Sequence, residues 1–232
     1  MNSDKYAPRL LGAAFLFVLV ASLTSGVLDD QTLLSGSISD YFVNISNNLM
    51  QMRISILVEL LTSVGIVVLA VLLFVVLNTQ NKIIALVALG CWLAEAITLA
   101  VSKIGSFALI PLSLEYVKAG APDAAYFQTL GALFRGVDTW GYDIHMWFFG
   151  LGGILWYSLF YRSRYIPRVL AVWGIGAVSV GWVGIVLGWL DVRVNFLFFL
   201  QIALFELTLG LWLVVKGIRD GSETRQHFSS PR

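Results

Sequence analysis

"ISILVELLTSVGIVVLAVLLFVVL", Ile54 to Leu77, decides the fold. Apart from Glu59 and three hydroxyl residues its side chains are apolar. It holds the ~20 residues that a helix needs to cross about 30 Å of hydrocarbon at about 1.5 Å per residue. A backbone in lipid must satisfy its own hydrogen bonds, so the run reads as a transmembrane helix. Working outward on the same criterion gives five more spans: Pro8 to Leu28, Ile83 to Ile110, Thr139 to Phe160, Pro167 to Leu190 and Val194 to Val215. Composition agrees, with 58% hydrophobic and 12% charged residues, where soluble domains carry about 25% charge. The expected fold class is all-α: a polytopic six-helix transmembrane bundle whose first partner is the lipid bilayer.

Lys5 and Arg9 flank the start of the first run and small residues follow it, as in a signal peptide. The run is long enough to span and no A-x-A site ends it, so it is read as retained. Cytoplasmic loops carry the excess of Lys and Arg. Placing Lys5, Arg9, Lys82, Arg162, Arg164, Arg168, Lys216, Arg219, Arg225 and Arg232 on one side leaves Arg53, Lys118, Arg135 and Arg193 on the other, with Lys103 near the outer end of the third span. This predicts a membrane protein with both termini cytoplasmic, residues 1–220 as one membrane domain and 221–232 as a polar cytoplasmic tail.

The two longer outer loops have helical periodicity. Ile38, Tyr41, Phe42, Ile45, Leu49 and Met52 recur at the spacing of a helix lying in the membrane interface. In the second loop, Asp123 reads as an N-cap, followed by Tyr126, Phe127, Leu130, Leu133 and Phe134, with Gly136 as the end. Two amphipathic helices are therefore expected over the outer face.

Ionisable residues inside spans cost about 2.5–3.5 kcal/mol each on insertion scales, so they face a protein interior or a cavity. Ser55, Glu59, Thr62 and Ser63 form one stripe on the second span, with Arg53 at its mouth. Cys91, Glu95, Thr98, Ser102 and Ser106 form another on the third, with Lys103 beside it. "DTWGYDIHMWFFG", Asp138 to Gly150, brings Asp138, Tyr142 and His145 to one face of the fourth, and Glu206 lies near the middle of the sixth. Depth joins these stripes into one outward-opening acidic pocket of Glu59, Glu95, His145 and Glu206, rimmed by Arg53, Lys103, Arg135 and Asp138. Against this stands a structural reading in which Ser and Thr are interhelical glue, Asp138 caps its helix and Glu59 pairs with Arg53 or Lys103. On the fifth span Gly174, Ala177, Gly181, Gly184 and Gly188 make a small-residue face for close helix packing.

"FFGLGGILWYSLFYRSRYIPRVLAVWGIGA", "MRISILVELLTSVGIVVLAVLLFVVL" and "APDAAYFQTLGALF" resemble a bacterial family of multi-pass membrane proteins defined as domain of unknown function 4386. The resemblance implies a six-helix inner-membrane protein and supports Arg53 and Glu59 as positions typical of the family. It implies no activity. Members often carry a histidine near the start of the fourth helix, where this chain has Asp138.

The residues favour a binding or transport protein for a cation, proton or small molecule over a structural or interaction protein, and both over a metal-dependent membrane enzyme. A net charge of +1 without a basic, aromatic-interleaved stretch gives no nucleic-acid partner. With the single cysteine Cys91, no CxxC zinc site can form. No GxGxxG, P-loop or HExxH pattern points to a nucleotide or zincin chemistry. No cofactor, metal or oligomeric state is assigned.

Overall fold

The structure, a computed structural model, describes residues 3–30, 36–122, 124–195 and 197–218. Asp123 and the tail 221–232 lie outside these residues. The chain forms α1 (Ser3–Asp30), α2 (Ile38–Asn47), α3 (Leu49–Leu77), α4 (Lys82–Lys118), α5 (Ala125–Ser163), α6 (Arg168–Trp189) and α7 (Leu197–Lys216). Among the described residues there is no strand. Five helices are long and apolar enough to cross a membrane: α1 over Ala7–Leu28, α3, α4, α6 and α7. α5 is long enough but less apolar, since its first half carries Gln128, Arg135, Asp138, Asp143 and His145 and its second half is rich in glycine and aromatics.

α5 corrects the sequence expectation. The short helix ending at Gly136 and the span beginning at Thr139 are one continuous helix of 39 residues, about 58 Å long and roughly twice the hydrocarbon thickness. A glycine inside a helix costs only about 1 kcal/mol relative to alanine, and packing along α5 outweighs it. α4 likewise runs past Ile110 and through Pro111 to Lys118.

α2 begins at a capping box. The Ser37 side chain accepts from the Asp40 N–H, while Asp40 Oδ2 accepts from the Ser37 N–H at 2.8 Å. These hydrogen bonds, the one from the Ser37 hydroxyl foremost, hold the exposed Asp40 carboxyl below its usual range. The apolar face expected in the membrane interface is buried on protein instead. Tyr41, Phe42 and Ile45 pack with Leu109, Tyr116 and Phe127 of α4 and α5, and the Phe42 ring lies 5.0 Å from Tyr116. The second expected apolar face is split: Phe127 is buried, whereas Tyr126, Leu130 and Leu133 are exposed.

The remaining six helices close into a ring in which α1 packs on α3, α3 on α4, α4 on α5, α5 on α6, α6 on α7, and α7 back on α1. Aromatic side chains plug its centre. Phe15 of α1 meets Trp92 of α4 edge-on at 6.4 Å, Trp92 meets Trp156 of α5 at 6.3 Å, and Tyr157 meets Phe205 of α7 at 4.7 Å. Leu57, Val64, Val68, Ile97, Val101 and Ile104 face outward and exposed, an inversion of the water-soluble pattern that suits lipid as solvent.

Small residues set the helix spacing. A Cβ at Gly12 would lie 2.7 Å from the Val214 backbone nitrogen, so α1 and α7 touch backbone to backbone. On α6, Gly174 lies against Phe205, Gly181 against Ile202 and Gly184 against Val194, while Gly188 faces open space. The expected glycine face is thus a packing face over its first four positions, with Ala177 also buried.

Candidate functional site

Helical phase turns the stripe of α3 inward: Ser55, Glu59, Thr62 and Ser63 are all buried. On α4, Glu95, Ser102, Lys103 and Ser106 are buried too. These faces meet α5 in two polar centres separated by about 12 Å along α4, the rise from Glu95 to Lys103.

The centre nearer α2 is built around Lys103, which is 3% exposed. Its ammonium pairs with the Glu59 carboxylate of α3 and, at 2.7 Å, with Asp138 Oδ1 of α5. The Ser25 hydroxyl of α1 donates to Glu59 Oε1 at 3.3 Å. One ammonium and two carboxylates thereby draw four helices together. A cleft with room for about one water opens beside them, lined by Tyr41, Met52, Ser55, Ile56 and Ser106. Tyr41 of α2 covers it, and the Arg135 guanidinium sits 5.2 Å over the Tyr41 ring.

Arg53 is exposed and makes no ion pair with Glu59 among the described residues. It precedes Glu59 by six positions, which places it about 120° away round the helix. Lys103, expected at the rim, is in the interior because it shares its buried face with Ser102 and Ser106.

The deeper centre joins α4 and α5. His145 is buried, with Nδ1 at 3.3 Å from the Glu95 backbone carbonyl and 4.0 Å from Glu95 Oε1. A carbonyl oxygen only accepts, so this contact assigns the ring proton to Nδ1 and leaves Nε2 with the lone pair. Glu95 is 3% exposed, and its Oε2 has no hydrogen-bond partner among the described residues. The Tyr142 ring is tilted against that of His145 with centroids 5.4 Å apart, but Tyr142 is 45% exposed and lies at the edge of the interior.

Glu206 of α7 is half-buried and close enough to act electrostatically on both Glu95 and Tyr157. Tyr157 is fully buried and its hydroxyl, like Glu95 Oε2, has no partner among the described residues. Sequence reasoning missed Tyr157. It sits in the aromatic stretch Leu155 to Tyr161, where nothing distinguishes a tyrosine facing the ring interior from its neighbours. Among the described residues no group of three or more His, Cys, Asp or Glu could hold a metal ion.

A ring of apolar helices exposing aliphatic side chains and enclosing charged ones defines a multi-pass membrane protein. The chain belongs to the family described as domain of unknown function DUF4386, whose model matches residues 10–217. Comparison with curated proteins and with solved structures gives no match.

Proposed function

We propose that this is a binding or transport protein of the bacterial inner membrane that takes up a cation or proton at Glu95 and His145. The observation that carries this reading is Glu95 itself. A carboxylate held in the middle of an apolar helix, 97% covered by protein, with one oxygen unpartnered among the described residues, needs a compensating positive charge. Lys103 does not supply it, because Glu59 and Asp138 already engage that ammonium. Glu206 adds a second carboxylate at the same interior. The Glu59–Lys103–Asp138 cluster is read as structural, since its one ammonium pairs with both carboxylates.

In this reading α5 is the sixth span, supported by its place in the closed ring, and both termini are cytoplasmic, supported by the Lys and Arg asymmetry. The α2 end and its cleft then face outward. The test is the thermal unfolding midpoint of the purified protein, followed across pH and across added Na+, K+ and Mg2+. Wild type responds to at least one of these and Glu95→Gln loses that response. Identical behaviour of the two proteins under every condition would leave Glu95 a packing residue and sink the reading.

A further inference from the structure

The interior beyond His145 contains a second set of polar atoms. Glu95 Oε2 on α4 and the Tyr157 hydroxyl on α5 are both enclosed and both without a hydrogen-bond partner among the described residues. Glu206 approaches from α7, next to Phe205, whose ring packs 4.7 Å from Tyr157. The groups bearing on Glu95 are thus Cys91 one turn away on α4, His145, Tyr142 and Tyr157 from α5 and Glu206 from α7. Further out stands the Glu59 of α3, already paired with Lys103.

We infer that the occupant of this site is a single proton shared between Glu95 and Glu206 and relayed by the Tyr157 hydroxyl. The inference rests on the reading of Glu95 as a cation- or proton-binding residue and narrows it to one chemistry. A hard metal cation takes about six or more oxygen ligands, and two carboxylates with one phenol fall well short of that. A proton needs only two acceptors and a group between them that donates and accepts at once, which a phenolic hydroxyl does. The transfer balances without a co-reactant. The Glu95 carboxylic acid gives its proton through water to the Tyr157 oxygen, as the Tyr157 proton passes, likewise through water, to the Glu206 carboxylate. Glu95 is left ionised, Glu206 protonated and Tyr157 unchanged. On the other side of Glu95, His145 faces Oε1 through Nδ1 at 4.0 Å: a proton taken up at Nε2 is matched by release of the Nδ1 proton to the Glu95 carboxylate, which exchanges the tautomer of the ring.

Infrared difference spectroscopy of the carboxylic C=O stretch in purified full-length protein tests this, with H2O-to-D2O exchange identifying the band. The expected result is a pH-dependent, deuterium-sensitive band that Na+, K+ and Mg2+ leave unchanged. Glu95→Gln removes part of it, and Glu206→Gln displaces the remaining transition by about one pH unit or more, as coupled sites require. Tyr157→Phe slows deuterium exchange of the band about ten-fold or more without removing it, an effect that loss of packing alone does not produce. If Glu95→Gln does not fold, the Glu206→Gln displacement carries the test alone. A band displaced by added cation overturns the proton assignment while leaving the cation-binding reading standing. A Glu95 band unmoved by Glu206→Gln overturns the sharing. A spectrum insensitive to both pH and cations overturns this inference together with the reading beneath it.

Discussion

Lys103 is the residue on which charge balance in the α2 half of the bundle depends. Removing one member of a buried, hydrogen-bonded ion pair leaves its partner uncompensated, at a typical cost of about 3–5 kcal/mol. Lys103→Met abandons two carboxylates, Glu59 and Asp138, and is expected to fall in that range by the unfolding midpoint in detergent. Glu59→Gln costs less, because Lys103 keeps Asp138. Arg53→Ala changes stability by no more than about 0.5 kcal/mol, as for an exposed residue without structural contacts; a loss matching that of Glu59→Gln would return Arg53 to the cluster. The inward direction of Glu59 and Glu95 was legible in the sequence, since phase on a helix and the cost of charge in lipid both fix it. The choice between Arg53 and Lys103 as the partner of Glu59 was less so, because it turns on which neighbouring helix lies alongside. Tyr157 could not be found at all, because an aromatic in a span is equally at home in a plug, at a lipid surface or beside a carboxylate.

At the scale of the element, glycine is what the sequence reading misjudged. Gly136 reads as a helix end, yet α5 runs through it. It runs likewise through Gly131, Gly141, Gly150 and Gly152. Each admits a neighbour: Gly131 receives Ile38 and Phe42 of α2, Gly141 receives Ser102, Gly150 receives Trp182 and Gly152 receives Trp92. In water a glycine in a helix weakens it, whereas between membrane helices it is a seat for the next helix. α6 gives the sharper test. Gly181→Leu drives a side chain into Ile202 and is expected to cost about 1–3 kcal/mol or more, while Gly188→Leu, with open space around it, stays within about 0.5 kcal/mol. Equal losses at both positions would mean that α6 is turned differently. α2 carries a pH prediction with a definite sign. Because folding depresses the Asp40 carboxyl, its contribution is present above the ordinary carboxylate value of about 3.9 and is lost as pH falls through the lower folded value. Protection of the α2 amides from hydrogen exchange, taken relative to the intrinsic exchange rate at each pH, should therefore fall on acidification below the ordinary carboxylate range, and Asp40→Ala should abolish that dependence while lowering protection at neutral pH.

For the whole molecule the topology is the claim most open to direct measurement. Single cysteines in a Cys91→Ser background, at Asn47 on α2 and at Ser163 closing α5, should react with an impermeant reagent from opposite sides, Asn47 from outside and Ser163 from inside. Labelling of both from one side would remove α5 from the set of spans. Individual helices are legible from a sequence of this kind, because lipid imposes a length and an apolarity on each one separately. Their arrangement is not. That α1 lies between α3 and α7, and that the two polar centres are separate, follow from which faces interlock, and those depend on side-chain shapes such as Trp92 against Gly152 and Phe205 against Gly174.

The backbone contact between Gly12 and α7 has a consequence for biogenesis. During synthesis α1 enters the bilayer before α7, and the face it presents to Val214 and Gly210 must wait for α7 to be made. Through that interval the seam is open to lipid, and the aromatic plug has one wall missing. Closure of the circle therefore waits for α7, and it joins segments about 200 residues apart in sequence, the kind of non-local contact that costs most to form. A bulky side chain at Gly12 or Gly210 would let every helix insert and leave the circle unsealed, producing a protein that is fully integrated and yet susceptible to proteases and quality control.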